Sequence, residues 1–316
     1  MNTEKKILFA VDGSDFSEQS LTKTGELMKT DNEARIMLFH GAPCPESVER
    51  EAGSNEAHEA QCRQEAHDVL ERAKAALTKS GFDPNRFSVT LEKACQNPAV
   101  SMLKYADCEG YDTIALGRWG KSTVSRQVIG SVTYRLAQMA DDRAVWIIDP
   151  RIASHNVMIG LVGAPVSQRV IDYTVRYFGH LKSSTFTLFH VIPPLPPQNI
   201  NLADVMAMEE NENRQQLLGQ KIGIYLREYS DKVKENAGYA MEKLTKAGIP
   251  EENVFVKIQS QETGIARDII AEMETGNHGI LVIGRRGFKD IKDFGMGSKA
   301  YKLLMKARAF DLCLVS

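Results

Sequence analysis

No stretch of this sequence is apolar for long enough to cross a bilayer. The opening segment, MNTEKKILFAVDGSD, carries only a short apolar run before an acidic turn, so no secretory signal is expected. Cysteine is scarce and irregular: Cys44, Cys62, Cys95, Cys108 and Cys313 are odd in number and show no C-x-x-C spacing. That argues against a disulfide framework or a zinc site and for idle or buried thiols in a reducing cytoplasm. Charge of one sign is lacking too, with 39 Lys and Arg against 41 Asp and Glu. A net charge of −2 gives no attraction for nucleic acid or an anionic membrane. Several chemical signatures are also missing. There is no G-x-x-x-x-G-K-[ST] loop, no G-x-G-x-x-G after the first apolar run, no H-E-x-x-H and no recognisable Ser-His-Asp grouping.

What the chain does have is an internal repeat, the feature that decides architecture. Residues 113–131 read TIALGRWGKSTVSRQVIGS, and residues 280–298 read ILVIGRRGFKDIKDFGMGS. In each, a short apolar run leads into G-x-x-G, nine residues follow, and Gly-Ser comes next. The offset is 167 residues, from Gly117 to Gly284. Upstream, IMLFHGAP around His40 matches FTLFHVIPP around His190 at an offset of 150, and ILFAVDGS matches VMIGLVGA at the same offset. Gly81 and Gly248 already show the larger offset. The second copy therefore carries 17 extra residues between His190 and Gly248, where a proline run precedes a long polar, helix-prone stretch.

Short β-rich runs alternate with helical stretches in both copies. Strands are predicted at 6–11, 36–40, 87–93, 113–117 and 144–148, with helices between them, and at 156–162, 185–191, 254–258, 280–284 and 312–315. Near-continuous apolar strands imply cover on both faces. The alternation predicts two tandem doubly wound, mostly parallel, five-stranded α/β domains of Rossmann-like type. The boundary is expected at Asp149-Pro150-Arg151, giving domains 1–150 and 151–316, the second with the longer helical insertion. The first 150 residues hold 18 basic and 23 acidic side chains, and the rest hold 21 and 18, an asymmetry too weak to carry a function.

In such sheets ligands sit beyond the carboxyl ends of the strands. Gly117 and Gly120 would turn the chain sharply off a buried strand and bring backbone N–H groups near a ligand. Gly130 and Ser131 would open a helix whose positive end favours phosphate, with Ser131 capping it or donating its hydroxyl. Lys121 and Arg126 could add charge. Glycine at a strand end and Gly-Ser at a helix start are also ordinary punctuation. Two copies with identical spacing favour the phosphate reading over that one. Asp12, in VDGSDFS, could accept hydrogen bonds from adenine or ribose, or with Ser14 merely cap a helix. His40 and His190 occupy equivalent strand ends and read better as packed, satisfied histidines than as metal ligands. The leucines, isoleucine and tyrosines of the insertion, Leu217 to Tyr229, recur at helical spacing and read as an amphipathic helix on the sheet. A lid or partner surface is the sharper alternative.

VDGSDFS after the first strand, LFHGAP after the second and G-x-x-G-x9-G-S after the fourth together resemble the universal stress protein family. The resemblance runs over almost the whole chain, twice, as in two-domain members of that family. It implies an adenine nucleotide alpha hydrolase-like fold whose halves pair through their last strands, AVWII and LCLVS, as a pseudo-dimer within one chain. It implies that Asp12 and Ser14 lie at the adenosine, that backbone near Gly41 lines the adenine pocket, and that Gly117, Arg118, Gly120, Gly130, Ser131 and Val132 hold ribose and phosphates. The second-half counterparts are Gly284, Arg285, Gly287, Gly297 and Ser298. There Val162 stands in place of Asp12, Ala164 in place of Ser14 and Lys299 in place of Val132. Adenosine recognition is therefore expected chiefly in the first half.

The expected function is a cytoplasmic, ATP-binding stress protein. AMP or another adenine nucleotide is the alternative ligand, Mg would accompany ATP, and a homodimer is an open possibility. With no metal site and no general base in view, binding rather than chemistry is the expected output, and a slow ATPase is the most that enzymology would give. The competing reading is a non-nucleotide dimerisation scaffold whose glycines only shape turns.

Overall fold

The computed structural model describes residues 4–43, 55–94, 97–121, 129–161, 166–194, 212–286, 296–306 and 308–316. The strands are β1 (Lys5–Ala10), β2 (Ala34–Pro43), β3 (Phe87–Ala94), β4 (Thr113–Gly117), β5 (Ala144–Ile148), β6 (Val157–Gly160), β7 (Phe186–Ile192), β8 (Val254–Ser260), β9 (Ile280–Gly284) and β10 (Asp311–Val315). The helices are α1 (Asp15–Met28), α2 (Asn55–Lys79), α3 (Pro98–Glu109), α4 (Ser131–Met139), α5 (Val166–Phe178), α6 (Glu212–Lys246), α7 (Ile265–Thr275) and α8 (Ser298–Lys306).

All ten strands form one sheet in the order β3-β2-β1-β4-β5-β10-β9-β6-β7-β8. Within each half the pairings are parallel, and the two halves meet through the antiparallel pair β5–β10, in which Trp146 faces Cys313. The fold is thus the tandem, doubly wound one expected from the repeat. β4, β5, β7 and β10 are buried along their whole length, and β1 at all but Lys6, because helices cover both faces. One face is filled by α1, α2, α5 and α6, through residues such as Leu21, Val69, Val170 and Val233. The other is filled by α3, α4, α7 and α8, through Met102, Leu136, Ile269 and Leu303. Along β5 the side chains alternate between the two layers, Trp146 and Ile148 to one, Val145 and Ile147 to the other. Each layer therefore runs unbroken through both halves.

The seam is built from more than the strand pair. Trp146 stacks on Phe178 of α5 with ring centroids 5.0 Å apart. Lys23 of α1 forms a buried ion pair with Asp311 at 2.6 Å and donates to the Asp149 carbonyl at 2.9 Å, while the Asp149 amide donates to Asp311 Oδ1 at 2.8 Å. The two long helices differ in length, 25 residues in α2 and 35 in α6, which accounts for ten of the 17 inserted residues.

Candidate nucleotide site

The order β3-β2-β1-β4-β5 reverses direction between β1 and β4, and the carboxyl ends of those two strands open onto a cleft of about 130 Å³. Asp12 and Gly41 line it from the ends of β1 and β2, and Gly117, Gly120, Gly130, Ser131 and Val132 line it from the glycine turn and the start of α4. Ser14, the remaining first-half residue expected there apart from Arg118, takes the capping role: its hydroxyl oxygen accepts from the Ser17 amide at 3.2 Å.

The glycine turn is held by backbone bonds that leave the helix start uncapped. The Arg118 amide donates to the Ile148 carbonyl at 3.0 Å, and the Gly130 amide donates to the Arg118 carbonyl at 3.0 Å. Gly130, not Ser131, occupies the N-cap position of α4, and no side-chain hydrogen bond caps it, so of the two roles expected of Ser131 the capping one is not taken. Thr133 instead ties the first turn of α4 back to β4, donating to the Gly117 carbonyl at 3.1 Å. The first amides of α4 thus keep their capacity to donate to an anion.

Asp12 is engaged within the protein. Its Oδ1 accepts from the Ser14 amide at 3.0 Å and the Ser14 hydroxyl at 2.7 Å, and its Oδ2 accepts from the Lys121 amide at 2.8 Å. A Cβ on Gly120 would lie 2.2 Å from Asp12 Oδ2, so the missing side chain at 120 makes room for this carboxylate. Asp12 therefore clamps the glycine turn to the start of α1, with Oδ1 accepting two hydrogen bonds and Oδ2 accepting from the turn. Two cations gather nearby: Arg72 donates to the Gly13 carbonyl at 3.1 Å, and Lys121 Nζ lies 3.2 Å from where a Cβ on Gly13 would be. Gly13 itself sits at φ 75°, a conformation that favours glycine. Arg126 lies outside the described residues.

Arg118 is the clearest correction to the expected set. Its side chain is only 2% exposed and turns away from the cleft, donating from Nη1 to the Leu304 carbonyl at the end of α8, in the other half. Burial lowers its pKa to about 10, with Asp149 and Asp311 opposing that shift. Arg285 does the same in reverse: it is buried, donates to the Gln138 carbonyl at the end of α4, and pairs with Asp141 at 2.8 Å. Both arginines fasten the last turn of the opposite half's helix, where a cation complements the negative end of the helix dipole. The reason is geometric: each follows a strand-end glycine next to the seam, and the turn directs the long side chain across it.

The second half repeats the backbone scaffold. Arg285 N donates to Val315 O at 2.7 Å and Gly297 N to Arg285 O at 2.9 Å, which brings Gly284, Gly297 and Ser298 to one place at the ends of β9 and α8. Gly287 lies outside the described residues, as do Val162 and Ala164.

The spacing arguments missed several cleft residues. His40 lines the cleft while its Nδ1 lies 2.7 Å from the Val11 carbonyl; His190 makes the matching contact with Leu161 at 2.8 Å. Both are packed strand-end histidines anchored through Nδ1, as read from sequence; the expectation that both are satisfied holds for Nδ1 alone in His190, whose Nε2 is buried without a partner while the Tyr229 ring of α6 stacks on the imidazole with centroids 6.1 Å apart. Pro98 and Met102 of α3 and Trp119 complete the apolar wall. Trp119 is held edge-on to Phe16 and beneath the Arg151 guanidinium, 4.9 Å from the ring centroid. Only the position of Trp119 inside G-x-x-G could have pointed to it. Among the described residues, no group of three or more His, Cys, Asp or Glu could hold a metal ion, and no helix is long and apolar enough to cross a membrane.

Residues 4–142 match the model of the universal stress protein family. Over the whole chain the fold is similar to that of a universal stress protein from Archaeoglobus fulgidus DSM 4304, with a TM-score of 0.63 and 16% identity, covering 100% of this chain and 99% of that one. It is also similar to a functionally unknown protein from Pseudomonas aeruginosa PAO1, with a TM-score of 0.59 and 13% identity, covering 99% and 92%. At those identities the likeness is one of fold. No curated protein matches the sequence.

Proposed function

The first half of this chain is a universal stress protein domain, and from that premise we propose that the protein binds an adenine nucleotide, ATP foremost, in the cleft between β1 and β4. The observation that carries this is the start of α4: an uncapped helix N-terminus at Gly130 and Ser131, opening onto a cleft with an apolar wall and the Asp12 carboxylate. The apolar wall of Met102, Leu116 and Val132 suits a base, Asp12 suits ribose hydroxyls, and the α4 amides suit phosphate. The enclosed volume is below the roughly 300 Å³ of sites that surround a whole drug-sized ligand. A nucleotide would therefore bury its nucleoside and extend its phosphates over the rim at the start of α4.

Residues 1–150 and 151–316 are taken as the two domains, with Gly284, Gly297 and Ser298 as a second, reduced site and the β5–β10 seam as a pseudo-dimer interface. Ligand binding rather than turnover is the output, with Mg accompanying ATP. The odd number and irregular spacing of the cysteines support a reducing, cytoplasmic setting. Calorimetric titration of ATP into the full chain tests the reading: saturable binding is expected, and its absence at millimolar ATP would return the chain to the scaffold alternative.

A further inference from the structure

The glycine turn of the first half leans on a residue of the linker. Trp119, third in Gly117-Arg118-Trp119-Gly120, is buried and lines the cleft. Its indole meets Phe16 of α1 edge-on, with centroids 4.8 Å apart, and the Arg151 guanidinium lies over its ring, 4.9 Å from the centroid. Arg151 stands just past β5, outside the residues 4–142 that carry the family match.

Arg151 is itself tied down. Its Nε donates to Asp149 Oδ1 at 2.8 Å and its Nη2 to Asp149 Oδ2 at 2.5 Å, a bidentate pair that fixes the plane of the guanidinium. The Asp149 side chain is fully buried, and both of its oxygens accept from Arg151. The Asp149 backbone is fastened in turn to the seam: its carbonyl accepts from Lys23, and its amide donates to Asp311 of β10. A chain of direct contacts thus runs from a second-half strand through Asp149 and Arg151 to Trp119. The second turn is built differently. Arg286 stands at the place of Trp119, 167 residues on, and pairs with Asp141 at 2.7 Å.

We propose that Arg151 is a positioning residue for the first cleft: tied through Asp149 to the β5–β10 seam, its guanidinium holds the Trp119 indole and with it the glycine turn, so that the first half's nucleotide site is completed from the linker and the second half. The identity of the ligand rests on the nucleotide reading above; the hold on the turn does not. A planar cation over an indole is attracted by the negative face of the ring. The turn it steadies carries the Arg118 carbonyl, which accepts from the Gly130 amide at the start of α4. Loosening the indole therefore loosens the corner at which phosphate is expected.

Two measurements on the full chain test this. Hydrogen exchange of the Arg118 and Gly130 amides, followed by NMR without nucleotide, should quicken in Arg151→Met, while the Arg285 and Gly297 amides of the second turn keep their rates. Unchanged exchange at Arg118 and Gly130 would overturn the proposal. Titration with ATP gives the second readout. Arg151→Met should weaken binding about three- to fivefold, the scale of one half-exposed cation–π contact. Trp119→Leu should weaken it by a similar factor, and adding Arg151→Met to Trp119→Leu should change little more, because the arginine acts through the ring. An undiminished effect of Arg151→Met in the absence of the indole counts against the proposal. So does wild-type affinity in Arg151→Lys, which keeps the charge but not the planar fork. Arg151→Met strands the buried Asp149 carboxylate. Should that variant fail to fold, Arg151→Met combined with Asp149→Asn takes its place, since the Asp149 bonds to Lys23 and Asp311 run through its backbone. If neither the wild type nor any variant binds ATP, the nucleotide reading falls, and the exchange rates alone decide whether Arg151 holds the turn.

Discussion

At the scale of single residues, the cleft depends on small side chains making room for charged ones. Gly120 lacks a side chain where Asp12 needs the space, and Asp12 in turn holds the Lys121 amide. Gly120→Ala would put a methyl group on that carboxylate, force it aside and leave the amide without its partner. The bond is exposed to solvent, so a loss of about 0.5–1.5 kcal/mol is expected, the net contribution of an ordinary hydrogen bond. Chemical denaturation should show it, and the loss should vanish when the same change is made in an Asp12→Ala background. The sequence motifs placed Asp12 and the three glycines Gly117, Gly120 and Gly130 at one site, because each follows a strand end or opens a helix at a fixed spacing. It did not reveal what each side chain touches. Arg118 and Gly117 are neighbours in the motif, yet one side chain crosses the seam while the other position lines the cleft, since direction out of a turn depends on packing that spacing does not encode.

At the scale of elements, α4 and α8 have two functional ends. Their starts face the glycine turns and their last carbonyls are fastened by an arginine from the opposite half. Arg118 is thus a seam residue placed inside a ligand motif. Arg118→Met should lower stability by about 1.5–3 kcal/mol, the range for a hydrogen bond to a charged group. ATP affinity should stay within about threefold, or roughly 0.7 kcal/mol. Thermal unfolding and calorimetry on the same sample separate the two effects; a large loss of affinity with unchanged stability would restore Arg118 to the ligand. The strands and helices were largely legible, because parallel strands buried on both faces read as apolar runs. The pairing of β5 with β10 was reached only through the family resemblance. The overlay of α6 on His190 was not reached at all, since Tyr229 looked like one more apolar position on a helix face.

For the whole molecule, burial sets the pH response. His155, His180, His190 and His278 are each pushed below the ordinary value of 6.5, chiefly by burial. The unfolded chain therefore takes up these protons first as pH falls, so their stability contribution is complete above about 6.5 and is lost below it. Asp311 acts in the opposite sense. Burial raises its carboxyl to about 6, so it favours the folded state at lower pH and loses that contribution as pH rises through about 6. Four groups against one predict a urea midpoint higher at pH 7.5 than at pH 6, and a higher midpoint at pH 6 would contradict the histidine assignments. The central claim is that the start of α4 receives an anionic ligand beside Gly130. A Cβ there would already lie 3.3 Å from the Arg118 carbonyl and 3.3 Å from Thr133 Oγ1, so valine would crowd the approach to the α4 amides. Isothermal titration of ATP into the wild type and Gly130→Val tests it most directly. The variant should bind at least about tenfold more weakly, some 1.4 kcal/mol, and equal affinity in the two proteins would contradict the account.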